Sequence, residues 1–169
     1  MLKPLIRFLE RFYPHVSGSP FWFEAPSFIL NTLPVSLALI CIFGFVKTKD
    51  YFWLFLSPTI LIDFFVLGPA WKELSQHLRL NSPRPKDKAR NGMPSAHMAC
   101  ATLFATNLIL RTEGLWALII STLLIVAIAW QRKYSRMHDN AQLGVGGLVG
   151  ILVGLGVYWI LSIYAPRPY

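Results

Sequence analysis

PRPKDKARNGMPSAHMACATLFATNLILRTEGLWALIISTLLIVAIAWQRKYSRMHDNAQ, residues 83–142, sets polar motifs at the ends of two apolar runs. Ser95–Leu110 and Leu115–Trp130 are 16 residues each, joined by the short turn Arg111–Gly114. Two such runs across a tight turn read as a helical hairpin that returns the chain to the side it left. Pro94-Ser95-Ala96-His97 opens the hairpin, and Arg132 and His138 follow its close. Pro83-Arg84-Pro85 lies just upstream, in the same polar connection as the opening motif.

Outward from this stretch the chain is apolar on both sides. Phe28–Val46 runs 19 residues without a charge, Tyr51–Trp71 runs 21 with Asp63 alone, and Leu143–Tyr164 runs 22 with none. About 20 apolar residues cross a hydrocarbon core. The sequence therefore predicts an all-α integral-membrane bundle of about five transmembrane helices. The two 16-residue runs must borrow flanking residues or have protein around their ends. Composition agrees: 54% of the 169 residues are hydrophobic and 14% are charged, against about a quarter charged in soluble domains. The net charge of +8 is spread over the connections between apolar runs. That pattern suits membrane-flanking charge and phosphate binding, and it argues against a nucleic-acid partner.

A single membrane domain over residues 1–169 is expected, with residues 1–26 as an interfacial segment and 28–164 as the bundle. In Met1–Tyr13, Leu2, Leu5, Ile6, Phe8, Leu9 and Phe12 share one helical face among Lys3, Arg7, Glu10 and Arg11. This predicts an amphipathic helix lying in the headgroup region. The apolar run near Phe28 starts too late and is too long for a signal peptide. Cys41 and Cys100 both fall inside apolar runs, which suggests neither a disulfide nor a metal site.

With five spans, the long connection Lys72–Met93, carrying six basic residues, and Gln131–Gln142, carrying three, lie on one side of the membrane. Arginine suits a phosphate because its planar fork donates two parallel hydrogen bonds. Arg84, stiffened by Pro83 and Pro85, and Arg132 are the candidates. Pro94-Ser95 before an apolar run reads as a helix start, whose N–H groups and dipole favour an anion. Ser95 either caps that helix or donates its hydroxyl to the phosphate. An imidazole can attack phosphorus or protonate a departing oxygen, which points to His97 and His138. A nucleophilic histidine needs its other nitrogen held by an acceptor. Gln142, four residues after His138, offers its side-chain carbonyl one helical turn along the same face. Asp139 reads as a solvated or capping charge. Asp63, inside a span, must face the bundle, either in an ion pair or in support of the site.

Taken in order, these residues resemble the type-2 phosphatidate phosphatase superfamily of integral-membrane lipid phosphatases. Its three motifs are Lys, six residues, Arg-Pro; then Pro-Ser-Gly-His; then Ser-Arg, five residues, His, three residues, Asp. The chain has Arg84-Pro85, Pro94-Ser95-Ala96-His97, and Arg132 with His138 at the family spacing. The resemblance covers about Tyr51 to Tyr164, and its specificity comes from the three pieces occurring together. It implies His138 as nucleophile, His97 as general acid, and Arg84, Arg132 and Ser95 at the phosphate, with no metal and no cofactor. Four positions depart from the pattern. His77 stands at the lysine position as a weaker, pH-dependent cation, with Lys72, Arg79 and Lys86 nearby to supply charge. Ala96 replaces glycine within the phosphate-binding motif, Gln131 replaces serine, and Gln142 replaces aspartate. His138, three residues, Gln142, together with Gly92-Met93-Pro94-Ser95, resembles the dolichyl diphosphate phosphatase branch.

The resemblance thus implies a metal-independent hydrolase of a lipid phosphate or polyprenyl diphosphate, working through a phosphohistidine in a multi-pass membrane protein. A lipid phosphotransferase on the same scaffold and a non-catalytic anionic-lipid-binding protein are the alternatives. Twelve basic residues fall on the side of the motifs and four on the other. Charge asymmetry places the site in the cytoplasm, whereas the resemblance implies the periplasm or a lumen.

Overall fold

The computed structural model describes residues 30, 32–78, 82–85 and 91–167. The expected amphipathic N-terminal helix lies outside them. Five helices follow: α1 Leu33–Thr48, α2 Tyr51–His77, α3 Ala96–Thr112, α4 Leu115–Tyr134 and α5 Asn140–Tyr164. The described residues contain no strand, only an isolated bridge between Pro83 and Asn91. Three helices, α2, α4 and α5, are long and apolar enough to cross a membrane, and α1 is a shorter apolar helix. The chain is an all-α, multi-pass integral membrane protein.

Helix α4 reaches 20 residues by borrowing Gln131–Tyr134 from the polar connection. Helix α3 has 17 and takes the other route. It packs on α5 over one face, on α4 over another, and against α1 and α2. Met98, Cys100, Ala101, Leu103, Phe104 and Leu108 are all buried. Protein rather than lipid surrounds it, so it needs neither the length nor the apolarity of an exposed span. Large apolar side chains such as Leu123, Leu152, Trp159 and Ile163 stay exposed on α4 and α5, as a lipid-facing surface requires. Small residues let α3 and α5 approach closely. A Cβ on Gly146 would stand 2.6 Å from the Ser95 carbonyl oxygen, so glycine is what allows α5 to lie on the start of α3.

Away from the motifs, the two short turns are tied together. Lys49 and Glu113 each end a helix in the left-handed conformation. Asp50 caps α2 by accepting from the Phe52 N–H at 3.0 Å. Its carboxylate also receives both Nε (2.8 Å) and Nη2 (2.7 Å) of Arg111. The guanidinium lies 4.6 Å from the Phe52 ring centroid. This fork geometry fixes the α1–α2 turn against the end of α3.

Helix α2 contains a π-helical turn over Asp63–Leu67. The widening falls just before Gly68-Pro69, where the proline supplies no N–H and its ring would crowd the carbonyl four residues earlier. It turns Asp63 fully inward. The carboxylate lies 3.3 Å from the Cys100 thiol, which donates to it. The expected inward orientation is present, but the partner is a thiol and not a cation. Both cysteines are buried and free.

Candidate active site

One end of the bundle gathers the polar motifs, and local backbone chemistry explains how. Ser95 is the N-cap of α3. Its own N–H donates to the Gln142 carbonyl at 3.2 Å, fixing the start of α3 to the first turn of α5. After α4, Arg136 takes φ 53°, which reverses the chain. The Met137 and His138 N–H groups then both donate to the Arg132 carbonyl, at 3.0 and 3.3 Å. That reversal, rather than helical periodicity, brings Arg132 and His138 together.

His138 precedes α5 and is not part of it, which corrects the expectation of a shared helical face with Gln142. Asp139 is the N-cap and Gln142 the third helical residue of a reciprocal capping box. The Asp139 carboxylate accepts the Gln142 N–H at 2.8 Å, and Gln142 Oε1 accepts the Asp139 N–H at 3.2 Å. This cap turns Gln142 Oε1 back to His138 Nδ1 at 3.1 Å. The amide cannot be flipped, because Gln142 Nε2 faces the carbonyls of Ser82 (2.9 Å) and Pro83 (3.1 Å), which only accept. Oε1 must therefore face His138, Nδ1 must carry the proton, and in neutral His138 Nε2 keeps its lone pair.

His138 is buried and is held neutral. Its pKa is pushed from 6.5 down to about 3, first by burial and then by the charges of Arg132 and Arg84. The Gln142 hydrogen bond raises it part of the way back, and Lys72 lowers it a little more. Arg132 is 3% exposed, and its Nε and Nη2 have no hydrogen-bond partner among the described residues. Ser95 is fully buried, makes no side-chain cap, and its Oγ has no partner there either. A buried guanidinium with unused donors is costly unless an anion meets it. His97 is on the first turn of α3, half-buried, with its ring edge-on to Phe64 at 4.8 Å. Ala96 packs toward Gly68 of α2.

His77 is not drawn into this cluster. It is exposed at the end of α2, with Nδ1 2.9 Å from the Glu73 carbonyl of its own helix. Lys72, one turn and a half earlier, is the α2 cation whose charge reaches His138. Arg79 and Lys86 lie outside the described residues. Residues not singled out in the sequence complete the frame. Asn91 Nδ2 donates to Ser75 Oγ (2.7 Å) and the Lys72 carbonyl (3.3 Å), and its Oδ1 accepts the Met93 N–H (3.1 Å) and the Ser82 N–H (3.3 Å). Nothing read in the sequence pointed to this knot. Gly92 lies flat against the Gln142 amide, where any Cβ would collide with it. Among the described residues no group of three His, Cys, Asp or Glu is placed to hold a metal ion.

One end of the helical membrane bundle thus carries a buried arginine, an unengaged serine hydroxyl and a tautomer-fixed histidine. The chain matches the family model of the PAP2 superfamily over residues 28–164. It belongs to that superfamily, and membership supports a phosphatase activity on lipid phosphates. No curated protein and no solved structure matches the chain.

Proposed function

We propose that the protein is a metal-independent phosphatase that removes phosphate from a membrane lipid through a phosphohistidine. The observation that carries this reading is the neutral, Nδ1-protonated His138 beside the buried, partly unengaged guanidinium of Arg132. Arg132, Arg84 and Ser95 hold the nonbridging oxygens and offset the charge that develops on them. His138 Nε2 attacks phosphorus, forming a P–N bond as the bond to the lipid oxygen breaks. His97 gives its proton to that oxygen. Water then attacks the phosphohistidine, its proton passes to His97, and phosphate leaves as His138 is regenerated.

A polyprenyl diphosphate is the finer reading of the substrate. Its greater negative charge offsets more of the field that Arg132, Arg84 and Lys72 impose on His138, and the His138–Gln142 spacing supports the same branch. The test is phosphate release in detergent with chelator present. It compares a polyprenyl diphosphate, phosphatidate and phosphatidylglycerol phosphate. Release without added metal, fastest from the diphosphate, is expected. Turnover only after metal addition would refute the mechanism, and a preference for phosphatidate would refute the substrate. Phosphoryl transfer to an added alcohol in place of free phosphate would identify a transferase.

A further inference from the structure

We infer that Gln142 is a positioning residue whose amide nitrogen clamps the Arg84 loop onto the nucleophile, so that an amide, and not the family's carboxylate, is required at this position. The inference rests on the phosphatase reading for its meaning and on geometry for its support. Gln142 is fully buried and uses both ends of its side chain. Oε1 serves His138 and the Asp139 N–H. Nε2 serves the opposite wall of the site, the Ser82 and Pro83 carbonyls and Ser82 Oγ. The Ser82 carbonyl has a second donor in the Gly92 N–H at 2.8 Å.

The Pro83 carbonyl belongs to the peptide unit that enters Arg84. Proline fixes φ on one side of it, and the Gln142 hydrogen bond holds the carbonyl on the other. The direction in which Arg84 leaves the backbone is thereby tied to the same side chain that sets the tautomer of His138. A carboxylate in this place would still accept from His138 and Asp139. It would turn an acceptor toward two carbonyl acceptors, leaving Pro83 undonated and repelled in a buried setting. Gly92 belongs to the same device, since only a residue without Cβ lets the amide lie across its backbone.

The conservative variant Gln142→Glu separates a clamp from a simple histidine orienter. Orthovanadate, a phosphate mimic, is the probe, and its affinity is read from the shift in thermal melting in detergent. At about pH 8, with the introduced side chain ionised, vanadate should bind about tenfold or more weakly than to wild type. Arg84→Gln should bind weakly as well. Gly92→Ala, which displaces the amide by a methyl group without changing charge, should also bind weakly and carries the test if the charged variant does not melt cooperatively. Wild-type affinity of Gln142→Glu or of Gly92→Ala overturns the clamp. So does a wild-type protein that does not bind vanadate. If wild type binds vanadate and the variants behave as stated, but no lipid is hydrolysed, the phosphatase reading fails and the clamp stands.

Discussion

At the scale of single residues, the proposed nucleophile is His138, and its environment sets its protonation. Burial, and then two guanidinium groups, hold the ring neutral far below the ordinary imidazole range, so the lone pair on Nε2 is free at any physiological pH. A carboxylate neighbour would favour the imidazolium; the neutral Gln142 orients the ring and stabilises that charge much less. The same displacement has a consequence for stability. Between pH 6.5 and about 3 the unfolded chain binds a proton at this position that the folded chain refuses. Stability from this group is fully present above pH 6.5 and is lost as pH falls toward about 3. His138→Asn removes the titrating group. Melting in detergent from pH 7.5 to 4.5 should therefore show wild type losing more stability than the variant. Parallel curves would mean that His138 titrates normally in the folded state.

At the scale of elements, the bundle is held at one end by the motifs and elsewhere by Asp50 and Arg111. The pair is buried, with side chains 8% and 3% exposed, so removing one partner strands a charge. Arg111→Met should destabilise by about 3–5 kcal/mol, and adding Asp50→Asn should restore a large part. Denaturation in detergent measures both, and an additive double variant would mean that the pair is not coupled. Sequence showed Arg111 as one more flanking charge, because nothing in a linear pattern says which of two turns a cation will meet. Apolar length did reveal the spans, since lipid demands about 20 residues whatever their order. It left open which of the two short runs would be surrounded by protein, because burial by neighbours is a property of packing. The expected proximity of Gln142 and His138 came from counting four residues along a helix. The actual contact comes from a capping box that excludes His138 from that helix. The Asn91 knot depends on side-chain bonds across 9 to 19 residues, beyond any local signal.

At the scale of the whole molecule, fold and chemistry meet where the two connections on the motif side converge. α3 and α5 are locked by Gly146 on Ser95, and the loop before Arg84 is locked to α5 by Gln142. The arrangement sets Arg132, Ser95 and His138 at one end of a lipid-facing bundle; under the proposed function a headgroup would meet them there while its chain stays among the exposed apolar side chains. The family resemblance was readable from three short motifs because phosphate chemistry restricts which residues can serve. The sequence offered Lys72, Arg79 and Lys86 as sources of the charge missing at His77 without choosing among them; Lys72 is the one of these among the described residues, and its charge is felt at His138, while His77 bonds its own helix. The most direct test of the account is covalent: rapid acid-free quenching of wild type and His97→Gln after mixing with a lipid substrate labelled in its terminal phosphate. The expected result is an acid-labile, base-stable label on the peptide containing His138, forming more slowly in the His97 variant, which lacks the acid for the departing oxygen, and absent from His138→Ala, which should also release no phosphate. Full phosphate release by His138→Ala, or turnover with no labelled protein at any time, would contradict it.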